Sequence, residues 1–368
     1  MPYAIPLSYN AIDIPALTGV LQRYEGKPHH QLVADFEAAL RQASGAPEVV
    51  ALNSGTAALH LALRLLGVGP GDTVAVATFT YVASVSPVIY CGATPVFIDS
   101  EEETWNMDAG LLERALDELA RQGRKPKAII VVHAYGMPAR MAELMAVAAR
   151  WEIPIIEDAA EAFGSTIDGR WAGTLGAMGI YSFNNNKAMT TFGGGALLLP
   201  DGRLAEQARF LATHAREDKP YYHHDVAGYN YAINPLAAAY GLGQVGQAAR
   251  LVGLRRKIFE TYGKELKEIP TLTWQKERAG VESSRWLTTV RLKTNLSERV
   301  LALLMGQGDY EIRRVWKPMH LQPLFAGAKA HLSGVAEALF NEGLCLPSGM
   351  ETVASVPEIA AWLRKVVF

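Results

Sequence analysis

One lysine stands in a polar stretch between an apolar run and a glycine triplet. Residues 181–195 read YSFNNNKAMTTFGGG, which places Lys187 between an apolar run ending at Phe183 and three consecutive glycines. Glycine lets the backbone approach a bound group closely. We hypothesise that Lys187 holds a cofactor aldehyde as a Schiff base. Most lysines are solvated surface charges, so this segment alone leaves an ordinary surface lysine as the alternative.

A second stretch supplies a carboxylate that this chemistry needs. Residues 155–165 read IIEDAAEAFGS, an apolar run that breaks into acidic and then small residues. Such a pattern is typical of a buried parallel strand that delivers a carboxylate at its C-terminal end. Asp158 precedes Lys187 by 187 − 158 = 29 residues, enough for a loop and a strand. A pyridoxal phosphate enzyme uses a lysine for the aldehyde and an aspartate for the pyridinium nitrogen.

Length and composition describe an ordinary globular protein. The chain has 368 residues, of which 49% are hydrophobic and 20% charged, and its net charge is −2. This length predicts a large domain followed by a smaller one, and the charge argues against a nucleic-acid surface or a polybasic membrane patch. No apolar run is long enough to span a membrane and no signal segment opens the chain, so we expect a cytoplasmic protein. Cys91 and Cys345 are expected to be buried thiols, and no zinc-ligand spacing is present.

Strand-like and helical patterns alternate through the first half of the chain. Strand-like runs occur at residues 48–52, 73–77, 95–98, 128–133 and 154–156, and helical patterns at residues 31–42, 109–122 and 140–151. This alternation predicts a parallel sheet covered by helices on both faces, with sites at the carboxyl ends of the strands. Polar or aromatic groups follow several of these runs, at residues 54–56, 79–81, 133–135, 158 and 182.

Two of these groups have alternative interpretations. Ser54 and Thr56 precede an apolar helix, where unpaired amides attract phosphate, but either side chain could simply cap the helix. Tyr81 could lie flat against a planar heterocycle, or be an ordinary core tyrosine. Residues 1–28 are interpreted as an arm that packs on another surface.

The C-terminal third predicts a small α+β unit. A long helix from about Pro235 leads into it, followed by strand-like TLTW and TTVRL, the helical run SERVLALLMGQ and strand-like EIRRVW. We therefore predict a large domain at residues 1–245 and a small one at residues 246–368. The run KPMHLQPLF is a loop by its chemistry, and His320 within it is either a structural hydrogen-bonding group or a substrate contact.

Six segments together resemble a known family. In chain order they are SGTAALHLAL, TFTYVAS, HAYGMP, EDAAEAFGS, YSFNNNKAMTTFGGG and GYNYAIN. Their order and spacing resemble the DegT/DnrJ/EryC1/StrS family of sugar aminotransferases, from about Tyr9 to Leu346. The resemblance implies the type I pyridoxal phosphate fold, with a mostly parallel sheet flanked by helices. It also implies a homodimer whose active sites are shared between subunits.

The resemblance also implies roles for individual residues. Lys187 corresponds to the Schiff-base lysine, Asp158 to the partner of the pyridine nitrogen, Tyr81 to the ring that stacks on the cofactor and Glu161 to the group beside its ring hydroxyl. The phosphate ligands would be the backbone of Gly55 and Thr56, the Ser182 hydroxyl and Asn230 of the partner subunit. Trp316 and His320 match a loop near the sugar nucleotide. No metal site is implied.

Further stretches resemble one branch of the family. They are ETWNMD, NKAMTTFGGG, LATHARE followed by YYHH, WKPMHLQPLF and LCLPSG. This branch aminates C4 of UDP-linked 4-keto-6-deoxy-N-acetylglucosamine, with L-glutamate as the expected donor. Alternatives are a GDP- or dTDP-linked keto-sugar and a non-catalytic cofactor-binding regulator. Ala232, Pro235 and Arg314 depart from the family pattern, which puts local loop geometry and the sugar specificity in question.

Overall fold

A computed structural model describes residues 4–292 and 309–367. Its strands, in chain order, are β1 Glu48–Leu52, β2 Thr73–Ala77, β3 Thr94–Ile98, β4 Ala128–Val132, β5 Ile155–Asp158, β6 Thr166–Ile167, β7 Arg170–Trp171, β8 Met178–Ser182, β9 Gly195–Leu199, β10 Val281–Glu282, β11 Thr288–Arg291, β12 Arg313–Arg314, β13 Ala330–His331 and β14 Gly343–Leu346. The helices are α1 Ile14–Arg23, α2 His29–Ser44, α3 Gly55–Leu65, α4 Ser86–Tyr90, α5 Ala109–Arg121, α6 Met141–Trp151, α7 Gly202–Ala212, α8 Pro235–Val245, α9 Ala248–Glu265, α10 Val335–Glu342 and α11 Val356–Val367.

An eight-stranded sheet forms the centre of the fold, in the order β1-β9-β8-β5-β4-β2-β3-β13. From β8 to β13 every neighbouring pair is parallel, whereas β9 is antiparallel to both β8 and β1. Strands β2 and β4, TVAVA and AIIVV, are buried at every position. Apolar residues fill both faces of these strands because helices cover the sheet on both sides. The predicted sheet, mostly parallel and flanked by helices, is therefore confirmed.

Helix α5 shows how the sequence determines these flanking elements. Asp108 is its N-cap, and the carboxylate accepts a hydrogen bond of 2.7 Å from the Leu111 amide. Leucines at helical spacing then face the sheet and are buried, at positions 111, 112, 116 and 119. Such capping satisfies an amide that has no partner inside the helix. The predicted helix at residues 109–122 is confirmed.

The C-terminal part has its own sheet and core. Strands β11, β14 and β12 form a three-stranded antiparallel sheet, and α9 and α11 pack beside it through Ile258, Tyr262 and Ile359. However, β13 pairs with β3 in the large sheet, so one segment beyond residue 245 returns to it. The division at residue 245 stays a prediction. The predicted helix SERVLALLMGQ, residues 297–307, lies outside the described residues.

Two local predictions differ from the structure, and a third omitted a helix. The arm before Pro28 contains helix α1, in which Asp13 caps the first turn. Pro15 lies in that first turn, where a backbone N–H would have no carbonyl partner within the helix. The predicted long helix from Pro235 is two helices, α8 and α9, separated at Gly246, a poor helix former. The TLTW segment is not a strand; only Thr273 forms a bridge, with Arg291.

Candidate active site

A cavity of about 810 Å³ opens at the carboxyl ends of strands β4, β5 and β8. Most of the residues predicted to form the site line it, namely Gly55, Thr56, Tyr81, Asp158, Glu161, Ser182, Lys187 and Trp316. These positions are spread over more than 260 residues of sequence, since 316 − 55 = 261. The sheet topology therefore brings together the groups that the sequence suggested separately.

Asp158 is fixed at the end of β5. The residue is 5% exposed, and its Oδ2 accepts a hydrogen bond of 2.7 Å from the Ser84 hydroxyl. Its Oδ1 accepts one of 3.1 Å from the Ala160 amide. The Ser84 and Thr80 hydroxyls are in turn 2.6 Å apart. These contacts hold the carboxylate in one orientation; Ser84 and Thr80 were missed by the sequence analysis, although both lie in the TFTYVAS motif.

A buried pair supports the strand that carries Asp158. His133 Nδ1 accepts a hydrogen bond of 3.0 Å from the Ala139 amide, so its Nε2–H donates to Glu157 Oε2 at 2.9 Å. Amides of Leu175 and Gly176 also donate to Glu157 Oε1, each at 2.6 Å. Burial opposes ionisation of Glu157, but these partners outweigh it and lower its pKa. A satisfied buried network of this kind stiffens the end of the strand.

Lys187 lies between a carboxylate and an aromatic ring. Its Nζ is 3.2 Å from Glu161 Oε1 and 4.1 Å from the centroid of the Trp286 ring. Glu161 Oε2 accepts a further hydrogen bond of 2.9 Å from the Tyr135 amide. Burial raises the pKa of Glu161 to about 7, although the Lys187 charge and the Tyr135 amide act in the opposite direction. The amine is thus held inside the cavity and does not point into bulk water.

Side chains from distant segments hold the loop that carries Lys187. Asn10 donates to the carbonyls of Asn185 and Lys187, at 2.7 and 2.8 Å. Ser8 and Trp286 both donate to the carbonyl of Asn186, at 2.6 and 2.7 Å. The N-terminal arm therefore packs on this loop. None of these three side chains was recognised from the sequence.

The N-terminus of α3 faces the same cavity. The Ser54 hydroxyl accepts a hydrogen bond of 3.0 Å from the Ala57 amide, which is the capping role considered above. Within residues 4–292 and 309–367, the amides of Gly55 and Thr56 make no hydrogen bond. Helix N-termini of this kind bind anions because unpaired amides and the helix dipole point outward. Capping and phosphate binding are therefore compatible here.

Close packing brings this helix turn to the ends of β8 and β9. A Cβ on Gly55 would lie 3.0 Å from the Cβ of Ser182, and a Cβ on Gly195 would lie 2.4 Å from the Gly55 nitrogen. Only glycine allows backbones to approach so closely. The Ser182 hydroxyl and the first turn of α3 therefore form one small cradle that fits a phosphate group.

Aromatic and charged residues line the rest of the cavity. Trp316 stacks on Tyr135 with ring centroids 4.2 Å apart, and its amide donates to the Tyr135 hydroxyl at 2.8 Å. Tyr81 is 58% exposed at the cavity wall. Arg313 and Lys317 contribute positive charge to the lining, and Arg313 is paired with Glu311.

Two predicted site residues do not line this cavity. Asn230 is exposed, and its carbonyl accepts a hydrogen bond of 3.0 Å from Asn53; its predicted role concerned the partner subunit and stays a prediction. His320 contacts the Thr78 hydroxyl at 2.7 Å and Glu337 at 3.1 Å. These contacts agree with the structural alternative for His320, and its contact with substrate stays a prediction.

The three departures from the family pattern are accommodated locally. Ala232 forms a bridge with Leu52 at the end of β1. Pro235 occupies the first turn of α8, where a missing amide costs nothing. The Arg314 guanidinium lies over the Phe340 ring at 4.9 Å. None of them disturbs the contacts of Asp158 or Lys187.

The described residues form neither a metal site nor a membrane-spanning helix. No group of three or more histidine, cysteine or acidic side chains in this part of the chain is arranged to hold a metal ion. None of its helices combines the length and the hydropathy needed to cross a bilayer. Cys91 and Cys345 are both buried and free, as predicted.

Comparison with known proteins identifies the family. The model of the DegT/DnrJ/EryC1/StrS aminotransferase family matches residues 11–361. The chain belongs to this family. It is a pyridoxal phosphate-dependent aminotransferase of nucleotide sugars, as its curated relatives indicate.

Individual relatives are similar over most of their length. EpsN of Bacillus subtilis (strain 168), assigned as a pyridoxal phosphate-dependent aminotransferase, is 44% identical over 88% of this chain and 84% of its own. GDP-perosamine synthase of Caulobacter vibrioides is 35% identical over 92% of this chain and 90% of its own. The structure of Spr1654 from Streptococcus pneumoniae, assigned as a sugar aminotransferase and solved in its PLP form, has a TM-score of 0.84 at 28% identity, covering 97% of this chain and 100% of that one. The predicted fold and cofactor are confirmed.

Proposed function

We propose that this aminotransferase moves the amino group of L-glutamate to C4 of UDP-4-keto-6-deoxy-N-acetylglucosamine, with Lys187 as the residue that binds the cofactor covalently. The observation that carries the proposal is the convergence of Lys187, Asp158 and the N-terminus of α3 on one cavity. The three groups match an aldehyde, a pyridine nitrogen and a phosphate, which are the three recognition points of pyridoxal phosphate.

Asp158 and Lys187 have different roles in proton transfer. Pyridoxal phosphate, when bound, supplies an aldehyde that condenses with amines and a ring that accepts the electrons of a broken C–H bond. Asp158, fixed by Ser84 and the Ala160 amide, would lie beside the ring nitrogen, where a carboxylate favours the protonated form of that nitrogen. The Lys187 amine takes the proton from the α carbon of glutamate and, in the second half of the reaction, returns a proton at C4 of the sugar. The expected kinetics are ping-pong.

The remaining groups bind and orient the two molecules. The amides of Gly55 and Thr56 and the Ser182 hydroxyl would hold the phosphate, with Asn230 of the partner subunit completing the site in a homodimer. Tyr81 would stack on the ring and Glu161 would lie beside its hydroxyl. Lys317 lines the cavity and supplies positive charge for the diphosphate of a nucleotide sugar, and Arg313 adds to it although it is paired with Glu311. Trp316 and His320 belong to the loop that would bind the sugar.

The sugar is proposed from the branch motifs and has one specific rival. The stretches WKPMHLQPLF and LCLPSG favour the UDP-linked substrate. The similarity to a GDP-perosamine synthase over 92% of the chain favours a GDP-linked keto-sugar as the second candidate. We also propose a cytoplasmic location, the one expected from the sequence.

A substrate panel tests the proposal. The purified protein is incubated with L-glutamate and, separately, UDP-4-keto-6-deoxy-N-acetylglucosamine or a GDP- or dTDP-linked 4-keto-6-deoxy sugar, and the amino sugar is measured by mass spectrometry. We expect the UDP sugar to be used with the highest kcat/KM. A higher kcat/KM with the GDP sugar would favour the second candidate and reject the UDP assignment.

A lysine variant separates the chemistry from the specificity. Lys187→Ala should abolish turnover with every sugar in the panel and remove the absorbance of the covalently bound cofactor. The exposed Lys267→Ala serves as the control and should retain parent activity. A Lys187→Ala protein with full activity would reject the assignment of this lysine.

A further inference from the structure

The Trp286 indole contacts the lysine loop at two points. Its ring centroid is 4.1 Å from Lys187 Nζ, and its Nε1–H donates a hydrogen bond of 2.7 Å to the carbonyl of Asn186. The residue is only 5% exposed, and it lines the cavity together with Lys187. One side chain therefore touches both the amine that would react and the peptide group that precedes it.

The backbone of residues 283–287 is fixed independently of the indole. Gly136 has φ +92°, and a Cβ there would lie 2.9 Å from the Trp286 nitrogen, so glycine allows this segment to approach. The buried Arg255 donates to the Trp286 carbonyl at 3.1 Å. The Ser284 amide donates to the Ser165 hydroxyl at 2.8 Å. A substitution of the Trp286 side chain therefore leaves the contacts that place its backbone.

An aromatic face interacts differently with the two states of an amine. Its quadrupole attracts an ammonium within about 6 Å of the ring centroid but has little effect on a neutral amine. Trp286 thus stabilises positive charge at Nζ, and Glu161 Oε1, 3.2 Å from the same atom, acts in the same direction when ionised. An interaction that strengthens as charge develops lowers the barrier of the step that creates the charge.

We propose that Trp286 is a positioning residue for proton transfer by Lys187. The proton leaves the α carbon of glutamate and passes to Nζ, while the electron pair of the C–H bond passes to the bound cofactor. The ring face stabilises the ammonium that results, and the Nε1–H holds the peptide before the lysine. This inference rests on the proposed role of Lys187.

A double-mutant cycle tests the contact without using catalysis. Lys187→Met, Trp286→Met and the double variant are compared with the parent in the cofactor-free full-length chain by urea unfolding. We expect the coupling to change the unfolding equilibrium constant by roughly 3- to 30-fold, the range of a partly desolvated cation–π contact. The control cycle uses Trp274→Met, since Trp274 packs edge-on against Phe259 and does not line the cavity. A coupling factor near one for Trp286 would overturn the proposal.

A pair of matched variants tests the role in the reaction. Trp286→Phe and Trp286→Met both lack the Nε1–H and are both apolar, but only phenylalanine presents a ring face. With α-deuterated L-glutamate in single-turnover experiments, we expect Met to react roughly 3- to 30-fold more slowly than Phe. We also expect a larger isotope effect for Met and equal glutamate affinity. Equal rates and equal isotope effects for the two variants would overturn the proposal.

The same measurements distinguish this inference from the proposed function. If Lys187→Ala reacts with glutamate at the parent rate, the assignment of Lys187 is wrong, and the proposed role of Trp286 in proton transfer is wrong as well. If Lys187→Ala is inactive while the Phe and Met variants behave alike, only the role of Trp286 is wrong.

Discussion

The buried carboxylate of Glu161 should make the stability of the cofactor-free protein depend on pH. Burial raises its pKa from 4.5 to about 7, against the influence of Lys187 and the Tyr135 amide. A carboxyl group whose pKa is higher in the folded state contributes stability that is complete below its unfolded pKa. That stability is lost as the pH rises through the folded value. The window is therefore about pH 4.5 to 7.

The magnitude follows from the size of the displacement. At about 1.4 kcal/mol for each pKa unit, raising the pKa from 4.5 to about 7 corresponds to a total on the order of 3 kcal/mol. Most of it, roughly 2–3 kcal/mol, falls between pH 5 and pH 8. Glu161→Gln removes the titration. The glutamine side chain can accept a hydrogen bond from only one of the two donors that face Glu161, Lys187 Nζ and the Tyr135 amide. The stability lost in this way does not change with pH.

Urea unfolding at pH 5 and pH 8 measures the effect. The free energy of unfolding of the parent minus that of Glu161→Gln should be lower by roughly 2–3 kcal/mol at pH 8 than at pH 5. Taking this difference cancels the titration of all other groups. Glu113→Gln, which changes a half-exposed carboxylate paired with Arg150, is the control and should show no comparable change. If parent and Glu161→Gln change in parallel with pH, the reasoning about this carboxylate is wrong.

Three further predictions concern other parts of the site. Asp158→Asn should keep bound cofactor but lower turnover by at least ~10²-fold, because the ring nitrogen loses its ionised partner, whereas Asp117→Asn on the exposed face of α5 should match the parent. Asn230→Ala is expected to be weakly active and Lys187→Ala inactive, and mixing the two should restore activity if sites are shared, since a mixed dimer contains one intact site; no recovery on subunit exchange would contradict a shared site. Gly195→Ala should destabilise the protein by about 1–3 kcal/mol, since its Cβ would lie 2.4 Å from the Gly55 nitrogen. Gly263→Ala in α9, where a Cβ would meet open space, is the control and should not destabilise it. Thermal unfolding compares the two variants, and equal melting temperatures would contradict the packing argument.

The positions of Asp158 and Ser182 were predictable because they depend on the sheet. Short apolar runs bounded by polar residues marked strands β5 and β8, and parallel strands present their carboxyl ends at one edge. A residue that directly follows such a run can be assigned to that edge without knowledge of its contacts. The same logic placed Tyr81 and the turn before α3.

The groups that orient these residues were not predictable from local pattern. Trp286 is 100 residues from the Asn186 carbonyl that it binds, and Asn10 is 177 residues from the Lys187 carbonyl. Periodicity reports which face of an element is buried, but it does not report which distant segment covers that face. Helix α1 was missed for a related reason, because Pro15 interrupts its apolar pattern without interrupting its hydrogen bonds.

The two chemical groups of the site are fixed by different parts of the fold. The Asp158 carboxylate belongs to a strand whose backbone is paired on both sides, by β4 and β8. Lys187 belongs to a loop, and a loop must satisfy its backbone carbonyls outside regular structure. Here Ser8, Asn10 and Trp286 satisfy the carbonyls of residues 185–187.

Because Lys187 lies on a loop and Asp158 on a strand, different substitutions should displace the Lys187 amine and the Asp158 carboxylate. The buried Arg255 donates to the Ser8 hydroxyl at 3.0 Å and to the Trp286 carbonyl at 3.1 Å, so one guanidinium contacts two of the three residues that support the lysine loop. Burial lowers the pKa of Arg255 to about 10, because removal from water disfavours the charged guanidinium. None of its hydrogen bonds reaches β5 or the groups around Asp158. Substitution of Arg255 should therefore displace the Lys187 amine while the Asp158 carboxylate stays in place.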